Sequence, residues 1–300
     1  MGQRDKRAVR LFRCTVATAL WATVFAASGV RLSGGEAPPA LHQAARAGDE
    51  TQVQKILYDS PRCLNLYDEL DLTALHWAAL GGHERVLKIL LDAGADMEAT
   101  GGAYGRSALH LACSRGHDSA VALLILMGAS VNVRDRAEKT PLHSAAAGGF
   151  SSSLSMLIDA GATIDSRDGA GLTPLHLASH GRHEEAARLL LDRSADPDKK
   201  DKYGQTPLHL AAWEGHKGLV DLLLDRGASQ DAADKHGLTA LHRAARGGHA
   251  DVARVLIARG ADDTLKDDKG RTALAIARYF DFKDLIAILL KGYDPCSPIH

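Results

Sequence analysis

The chain has 300 residues, of which 45% are hydrophobic and 24% are charged, and its net charge is −1. These are the values of an ordinary folded soluble protein, and the near-zero charge excludes a global field that would recruit nucleic acid. The charge is uneven, because residues 1–40 carry six basic and two acidic side chains, or +4, which leaves −5 for the rest. Aromatic residues make up 5% and glycine occurs 29 times, which favours small-residue helix packing with many turns.

The first 39 residues differ from the rest in composition. Met1–Arg13 is basic, Cys14–Val30 carries no charge, and small residues at 26–29 follow the apolar stretch. This order predicts a secretory signal peptide, followed by a linker at Gly34–Pro39. A short uncleaved membrane anchor, an organelle transit peptide and a cytosolic tail are the alternatives. The expected localisation is therefore exported or secretory, with cytoplasmic and membrane-anchored localisations as alternatives.

A Leu-His pair, usually within a Thr-x-Leu-His tetrapeptide, recurs along the rest of the chain. The recurring residues are His42, His76, His110, His143, His176, His209 and His242, at steps of 34, 34, 33, 33, 33 and 33. A regular internal period overrides the two average domains that length alone suggests. The most regular copy is Asp201–Ser229.

That copy predicts two short helices. Gly204 supplies a turn position with positive φ, Thr206 caps a helix N-terminus, and Pro207 suits the first helical position. Gly215 ends a helix with a small-residue face, and Gly227 ends a second, more apolar helix. Isolated helices under about 12–15 residues are marginal in water, so the unit must stack on copies of itself.

The copies read TPLHLAAWEGH and TALHRAARGGH, with second-helix segments such as LVDLLLDRGAS. They resemble the ankyrin repeat family, whose landmarks are a period of about 33 residues and T-P-L-H-x-A. The resemblance covers about residues 40–292 and implies an all-α solenoid of stacked helix–turn–helix units with β-hairpin-like loops. It divides the chain into an N-terminal capping half-repeat (40–66), six full repeats (67–266), a C-terminal capping repeat (267–292) and a tail (293–300).

Some positions depart from the pattern. Ser194 replaces the glycine that ends the second helix in other copies, and a left-handed serine there costs about 1 kcal/mol. Asp71 and Glu138 stand where other hairpin tips have glycine. Ser151–Ser153 places poor helix formers in a second helix. Cys113 takes an Ala or Ser position and is expected to be buried.

No pattern in the sequence predicts catalysis, and we expect neither a metal nor a cofactor. H-E-x-x-H, G-x-S-x-G and P-loop motifs do not occur. The resemblance implies that the tetrapeptide histidines are structural, hydrogen-bonded to their own Thr and to neighbouring backbone. A metal site or enzyme built on His180 or His236 is a minor alternative. The acidic pairs Asp262-Asp263 and Asp267-Asp268 are expected to be solvated loop charges.

The resemblance places partner binding on a concave face, formed by the hairpin tips and the exposed positions of each first helix. The candidate residues are Lys202, Tyr203, Gln205, Trp213, Glu214, His180, Lys235, His236, Arg246, Tyr104, Arg106 and Arg115. Trp213 is either a binding hot spot or one of the single exposed aromatics that are common on proteins. An apolar patch is expected at Leu70, Leu72 and Leu80, and Trp77 is expected at the edge of the core.

The sequence therefore predicts a non-enzymatic scaffold or adaptor that is monomeric and binds a protein partner of unknown identity. The alternative is an exported effector or a cell-envelope binding protein. Nucleic acid is not an expected partner, and a membrane is one only if the leader is an uncleaved anchor.

Overall fold

The computed structural model describes residues 40–291. The leader predicted over 1–39 and the tail predicted over 293–300 lie outside the described residues. Within them, sixteen α-helices form eight helix–turn–helix pairs. The first helices of the pairs are α1 (Ala40–Ala47), α3 (Ala74–Gly81), α5 (Ala108–Arg115), α7 (Pro141–Gly148), α9 (Pro174–His180), α11 (Pro207–Glu214), α13 (Ala240–Gly247) and α15 (Ala273–Tyr279). The second helices are α2 (Glu50–Asp59), α4 (Glu84–Asp92), α6 (Asp118–Leu126), α8 (Ser151–Asp159), α10 (Glu184–Asp192), α12 (Lys217–Asp225), α14 (Ala250–Ala258) and α16 (Lys283–Lys291).

The helices stack in two layers. Each first helix packs on the first helices of the neighbouring pairs, and each second helix packs on the second helices beside it. The apolar core runs between the layers and is built mainly from leucine and alanine, including Leu208, Ala211 and Ala212. Small residues on the first helices allow the close spacing that eight stacked pairs require. The predicted all-α solenoid is confirmed.

Each first helix of the full repeats begins with a capping box. In α11, the Thr206 N–H donates to His209 Nδ1 at 3.1 Å, and the two side chains are 2.8 Å apart. Because Nδ1 accepts, His209 Nε2 carries the proton and donates to the Leu238 carbonyl of the next repeat at 2.9 Å. Gly215 then ends the helix with φ 72°. The predicted structural role of the tetrapeptide histidine is confirmed.

A second set of contacts links each first-helix end to the next repeat. The N-cap residue of a second helix places its ring over the glycine that ends the preceding repeat's first helix. A Cβ added to Gly82 would lie 2.5 Å from Nδ1 of His117, and φ at Gly82 is +69°, so a side chain here would strain the backbone and require the His117 ring to move. His117 Nε2 also donates to the Leu80 carbonyl at 3.0 Å. This contact couples sequence positions that lie about one repeat apart.

The fourth full repeat breaks this arrangement. Arg182 occupies the glycine position with φ 62°, although it is a bulky residue. The His216 ring turns away and Nδ1 accepts the Leu219 N–H at 3.0 Å. Ser194 is also left-handed, at φ 69°, as predicted for that site. Ser179 is fully buried, and its hydroxyl has no hydrogen-bond partner within the described chain.

The hairpin tips are built around a buried aspartate. Oδ1 of Asp201 accepts the Tyr203 and Gln205 N–H groups, both at 2.8 Å. Equivalent aspartates at 68, 135, 168, 234 and 267 accept in the same way. Asp267 was expected to be solvated, and that expectation is wrong. It is buried, because its carboxylate satisfies two backbone N–H groups and pairs with Arg271 at 2.6 Å.

The second full repeat carries short strands β1 (Thr100–Gly101) and β2 (Arg106–Ser107), which are antiparallel with Thr100 opposite Ser107. A Cβ at Gly101 would lie 2.1 Å from the Asp71 carbonyl oxygen, so a side chain is excluded there. No helix among residues 40–291 is long and apolar enough to cross a membrane.

Two local expectations are resolved by tertiary contacts. The serine run does not interrupt α8, since Ser153 is buried and its hydroxyl donates to Asp118 Oδ1 at 2.6 Å. Cys113 is fully buried, as predicted, and burial raises the pKa of its thiol. Asp71 and Glu138 have φ near 60°, as glycine would at a hairpin tip.

Candidate functional site

Seven of the nine predicted binding residues of repeats four to six come from two structural positions. One is the residue seven places after the landmark Thr, near the end of each first helix. In consecutive repeats it is His180, Trp213, Arg246 and Tyr279, and we call these four residues the column. The other position is the hairpin tip, which contributes Lys202, Tyr203, Lys235 and His236. Because α9, α11, α13 and α15 pack side by side, column residues of adjacent repeats are neighbours.

Contacts between adjacent repeats involve three of the four column residues. The Arg246 guanidinium carbon lies 5.6 Å from the centroid of the Trp213 ring, within the range of a cation–π contact. His180 Nδ1 lies 3.2 Å from Oε1 of Glu214, which precedes the turn glycine after Trp213. Trp213 is half-buried, and Arg246 and His180 are exposed. The structure thus brings together four of the residues that the sequence singled out.

The ionisation of the column follows from these contacts. The hydrogen bond and charge of Glu214 raise the pKa of His180 above its ordinary value, against the opposing effect of partial burial. Partial burial lowers the pKa of Arg246, and the charges of Arg243 and Arg271 lower it further. Arg246 still carries its charge at neutral pH, since an arginine is effectively always protonated. It therefore faces solvent as a cation close to two others.

The tip residues project from a fixed backbone. The Lys202 N–H donates to the Ala170 carbonyl at 3.0 Å, and the Lys235 N–H donates to the Tyr203 carbonyl at 2.9 Å. The Tyr203 side chain is 63% exposed. Gln205 is half-buried, and its carbonyl accepts from His176 Nε2 at 3.0 Å. A hydrogen bond of the same kind joins the tips of every pair of adjacent full repeats, so the tips form one continuous row.

Tyr104, Arg106 and Arg115 belong to the second full repeat, two repeats before His180. The Arg106 guanidinium lies 4.9 Å from the Tyr104 ring centroid. Its Nε is 3.5 Å from Oδ2 of Asp135, whose side chain is almost fully buried. Arg115 is half-buried, at the end of α5. Tyr104 and Arg106 form a separate pair, because the side-chain contacts of Arg106 lie within the second and third repeats.

Sequence reasoning missed Tyr279 and the paired arginines. Tyr279 is 75% exposed and continues the column into the C-terminal capping repeat. Counting seven places from Thr272 would have found it. Arg243 binds the buried Asp234, as Arg271 binds Asp267. The sequence analysis did not anticipate these two pairs, because it assigned Asp267 to a solvated loop and made no prediction for Asp234.

The apolar patch predicted at the N-terminal end is divided by the structure. Leu70 is exposed at its hairpin tip, whereas Leu72 and Leu80 are half-buried and pack against the core. Trp77 also packs against the core, as predicted, and its indole N–H donates to Asp68 Oδ2 at 2.6 Å. The Arg46 guanidinium lies 4.8 Å from its ring. The N-terminal end thus offers one exposed leucine from the predicted three.

The tetrapeptide histidines of the full repeats are held by hydrogen bonds within the fold. In the full repeats both ring nitrogens of each tetrapeptide histidine are engaged, Nδ1 in the capping box and Nε2 on the next repeat. Residues 40–291 contain no group of three or more His, Cys, Asp or Glu side chains arranged to hold a metal ion.

Comparison with known proteins gives the same architecture for most of the chain. A family model described as ankyrin repeats (3 copies) matches residues 41–135, 99–168 and 142–234. A second model, ankyrin repeats (many copies), matches residues 223–277. Among solved structures, the ankyrin repeat domain of human ASB11 superposes with a TM-score of 0.69 at 29% identity, over 75% of this chain and 100% of that one.

Two similar curated proteins match this chain only over short stretches. A transient receptor potential cation channel subfamily A member 1 homolog of Caenorhabditis elegans is 47% identical over 60 residues, which is 20% of this chain and 5% of that protein. The palmitoyltransferase akr1 of Emericella nidulans is 39% identical over 62 residues, or 21% of this chain and 8% of that protein. Ankyrin repeats are generally protein-interaction scaffolds and typically non-enzymatic. With family models covering most of its length, this chain belongs to the ankyrin repeat family.

Proposed function

We propose that this chain is a non-enzymatic scaffold or adaptor, and that a segment of a protein partner lies across the concave face of repeats four to six. The observation that carries the proposal is the contact between Trp213 and Arg246. Tryptophan and arginine are enriched among the residues that dominate binding energy, and hot spots cluster near the centre of an interface. Tyr203 and His236 are exposed at the hairpin tips of the same two repeats.

The position of Trp213 has no fixed role in the fold. The equivalent residues in the first three full repeats are Leu80, Ser114 and Ala147, so the repeat accepts very different side chains there. By contrast, Thr206 and His209 form the capping box that recurs in each full repeat. A tryptophan and an arginine in consecutive repeats at a variable position are therefore available for recognition.

The test is capture of a partner by immobilised wild-type chain and by Trp213→Ala and Arg246→Ala variants. Proteins bound by the wild type are identified by mass spectrometry, then purified and titrated directly. Each variant should bind at least about 25-fold more weakly, because a hot-spot truncation costs about 2 kcal/mol or more. Circular dichroism should be unchanged, since neither side chain occupies the fully buried core.

Arg254→Ala is the matched control, because Arg254 is an exposed arginine on α14 in the second-helix layer of the sixth repeat. It should bind like the wild type. If the Trp213→Ala, Arg246→Ala double variant keeps full affinity for every purified partner, the assignment of this surface is wrong.

A second proposal concerns localisation. We infer that residues 1–39 direct export, which would make the array an exported effector or a cell-envelope binding protein. The basic Met1–Arg13 segment and the uncharged Cys14–Val30 segment support this inference. Intact mass of the expressed protein tests it: a mature chain starting near Ala27 or Gly29 is expected, and an intact Met1 or Gly2 in the native host would contradict cleavage.

A further inference from the structure

The exposed charge of the proposed surface is opposite in sign to that of the array. Residues 41–300 carry a net charge of −5, from −1 for the chain less +4 for residues 1–40. On the tips and column from the fifth repeat to the C-terminal cap, however, four cations are exposed and have no ion-pair partner among residues 40–291: Lys202, Lys235, Arg246 and Lys269. One exposed carboxylate, Asp268, stands on the same row. The region is a local basic patch on an acidic protein.

Three carboxylates between the fifth repeat and the C-terminal cap are already engaged. Asp234 accepts from Arg243, with the carboxylate fully buried. Asp267 accepts from Arg271 Nε at 2.8 Å and from Nη2 at 2.6 Å. Glu214 is occupied by His180 at 3.2 Å. Arg246 is therefore the one guanidinium of this group that the described fold leaves without a carboxylate.

The surroundings of Arg246 favour the binding of an anion. The Trp213 ring lies against the guanidinium and limits its access to water on that side. Neighbouring Arg243 and Arg271 disfavour its charged form, so a bound anion would relieve an existing repulsion. A planar guanidinium binds a carboxylate through two parallel N–H···O bonds, and such charge-assisted bonds are about twice as strong as neutral ones.

We propose that the partner segment is an acidic peptide, in which one aspartate or glutamate carboxylate binds Arg246 while an adjacent apolar side chain packs on Trp213. Lys202, Lys235 and Lys269 then attract further acidic residues along the row of tips. This inference rests on the proposed function and adds the chemistry of the partner. A nucleic acid fits less well, because affinity for a phosphate backbone comes from many phosphate contacts and the rest of the array is acidic.

The probe is a phage-displayed library of random twelve-residue peptides, selected in parallel on wild type, Arg246→Glu, Trp213→Ala and the control Arg254→Glu. Peptides selected on the wild type and on Arg254→Glu should be enriched in Asp or Glu next to an apolar residue. Selection on Arg246→Glu should lose that acidic preference. A synthetic peptide from the wild-type selection should bind Arg246→Ala about 10- to 100-fold more weakly, the loss expected for a hydrogen bond to a charged group. Its affinity should fall between 50 mM and 500 mM NaCl.

The outcomes separate the two proposals. Suppose that Trp213→Ala abolishes selection. If the wild-type peptides then carry no excess of acidic residues, or if Arg246→Ala leaves their affinity unchanged, the proposal of an acidic partner is wrong and the proposed binding surface stands. If the same peptides are selected on wild type and on Trp213→Ala, both proposals fail. Binding of a single-stranded oligonucleotide more tightly than the best acidic peptide would also overturn the peptide assignment.

Discussion

Replacing Ser194 with glycine should stabilise the fourth full repeat by about 1 kcal/mol. Ser194 has φ 69°, and a left-handed conformation costs a non-glycine residue about 1–2 kcal/mol. Glycine loses more backbone entropy on folding than serine does, which offsets part of this stabilisation and leaves a net increase of about 1 kcal/mol. The five glycines that hold this position in other repeats, Gly94, Gly128, Gly161, Gly227 and Gly260, have φ between 86° and 95°.

The serine side chain contributes nothing that would offset the gain. A Cβ added to Gly94, Gly128, Gly161 or Gly227 meets no atom within 4 Å, so the equivalent space around residue 194 is open. Ser194 is exposed, and its hydroxyl makes no hydrogen bond within residues 40–291. The whole effect of the substitution should therefore come from backbone conformation.

Thermal melting followed by circular dichroism at 222 nm is the assay. For a protein of this size, about 1 kcal/mol corresponds to a rise of roughly 2–4 °C in Tm. The reverse substitution Gly94→Ser is the matched control and should lower Tm by a similar amount. An unchanged or lower Tm for Ser194→Gly, alongside a lower Tm for Gly94→Ser, would refute the conformational reasoning.

Three further predictions concern the same stack. Arg182→Gly should raise stability by about 1 kcal/mol in urea unfolding, and a crystal structure should then show His216 Nε2 donating to the His180 carbonyl, as its counterparts do in other repeats. Ser179→Ala should also stabilise, by about 1 kcal/mol, because it removes a buried hydroxyl without a partner; a lower urea midpoint would contradict this. Burial lowers the pKa of His143 to about 4, so as the pH falls His143 is protonated in the unfolded chain before it is protonated in the folded chain. The contribution of neutral His143 to the free energy of unfolding is therefore fully present above about pH 6.5 and decreases by about 3 kcal/mol as the pH drops to 4. In urea titrations from pH 7.5 to 4, the free energy of unfolding of His143→Gln should depend less on pH than that of the wild type.

Much of the fold was predictable because its signals are local. Thr206 and Pro207 start a helix and Gly215 ends one for reasons contained within a few residues. The 33-residue period then showed that the same unit is repeated, and a repeated unit of two short helices must stack. The left-handed conformation at Ser194 also followed, since the other copies have glycine there.

The candidate site was predictable only in part. Counting from the landmark Thr identified Trp213 and Arg246 as exposed positions, but their contact depends on how adjacent repeats are rotated against each other. Tyr279 was missed because its repeat had been treated as a cap. Asp267 was misassigned because its burial depends on the closure of the hairpin over its carboxylate.

The sequence by itself determined the repeat, its two helices and the residues that begin and end them, because these depend on short-range hydrogen bonding and backbone preference. Only the tertiary structure decided which side chains of successive repeats meet. It placed His180 on Glu214 and Arg246 on Trp213, and it showed that Arg182 displaces the His216 ring. These contacts join residues about 33 positions apart, and their geometry is set by the packing of helix on helix, which no local pattern encodes.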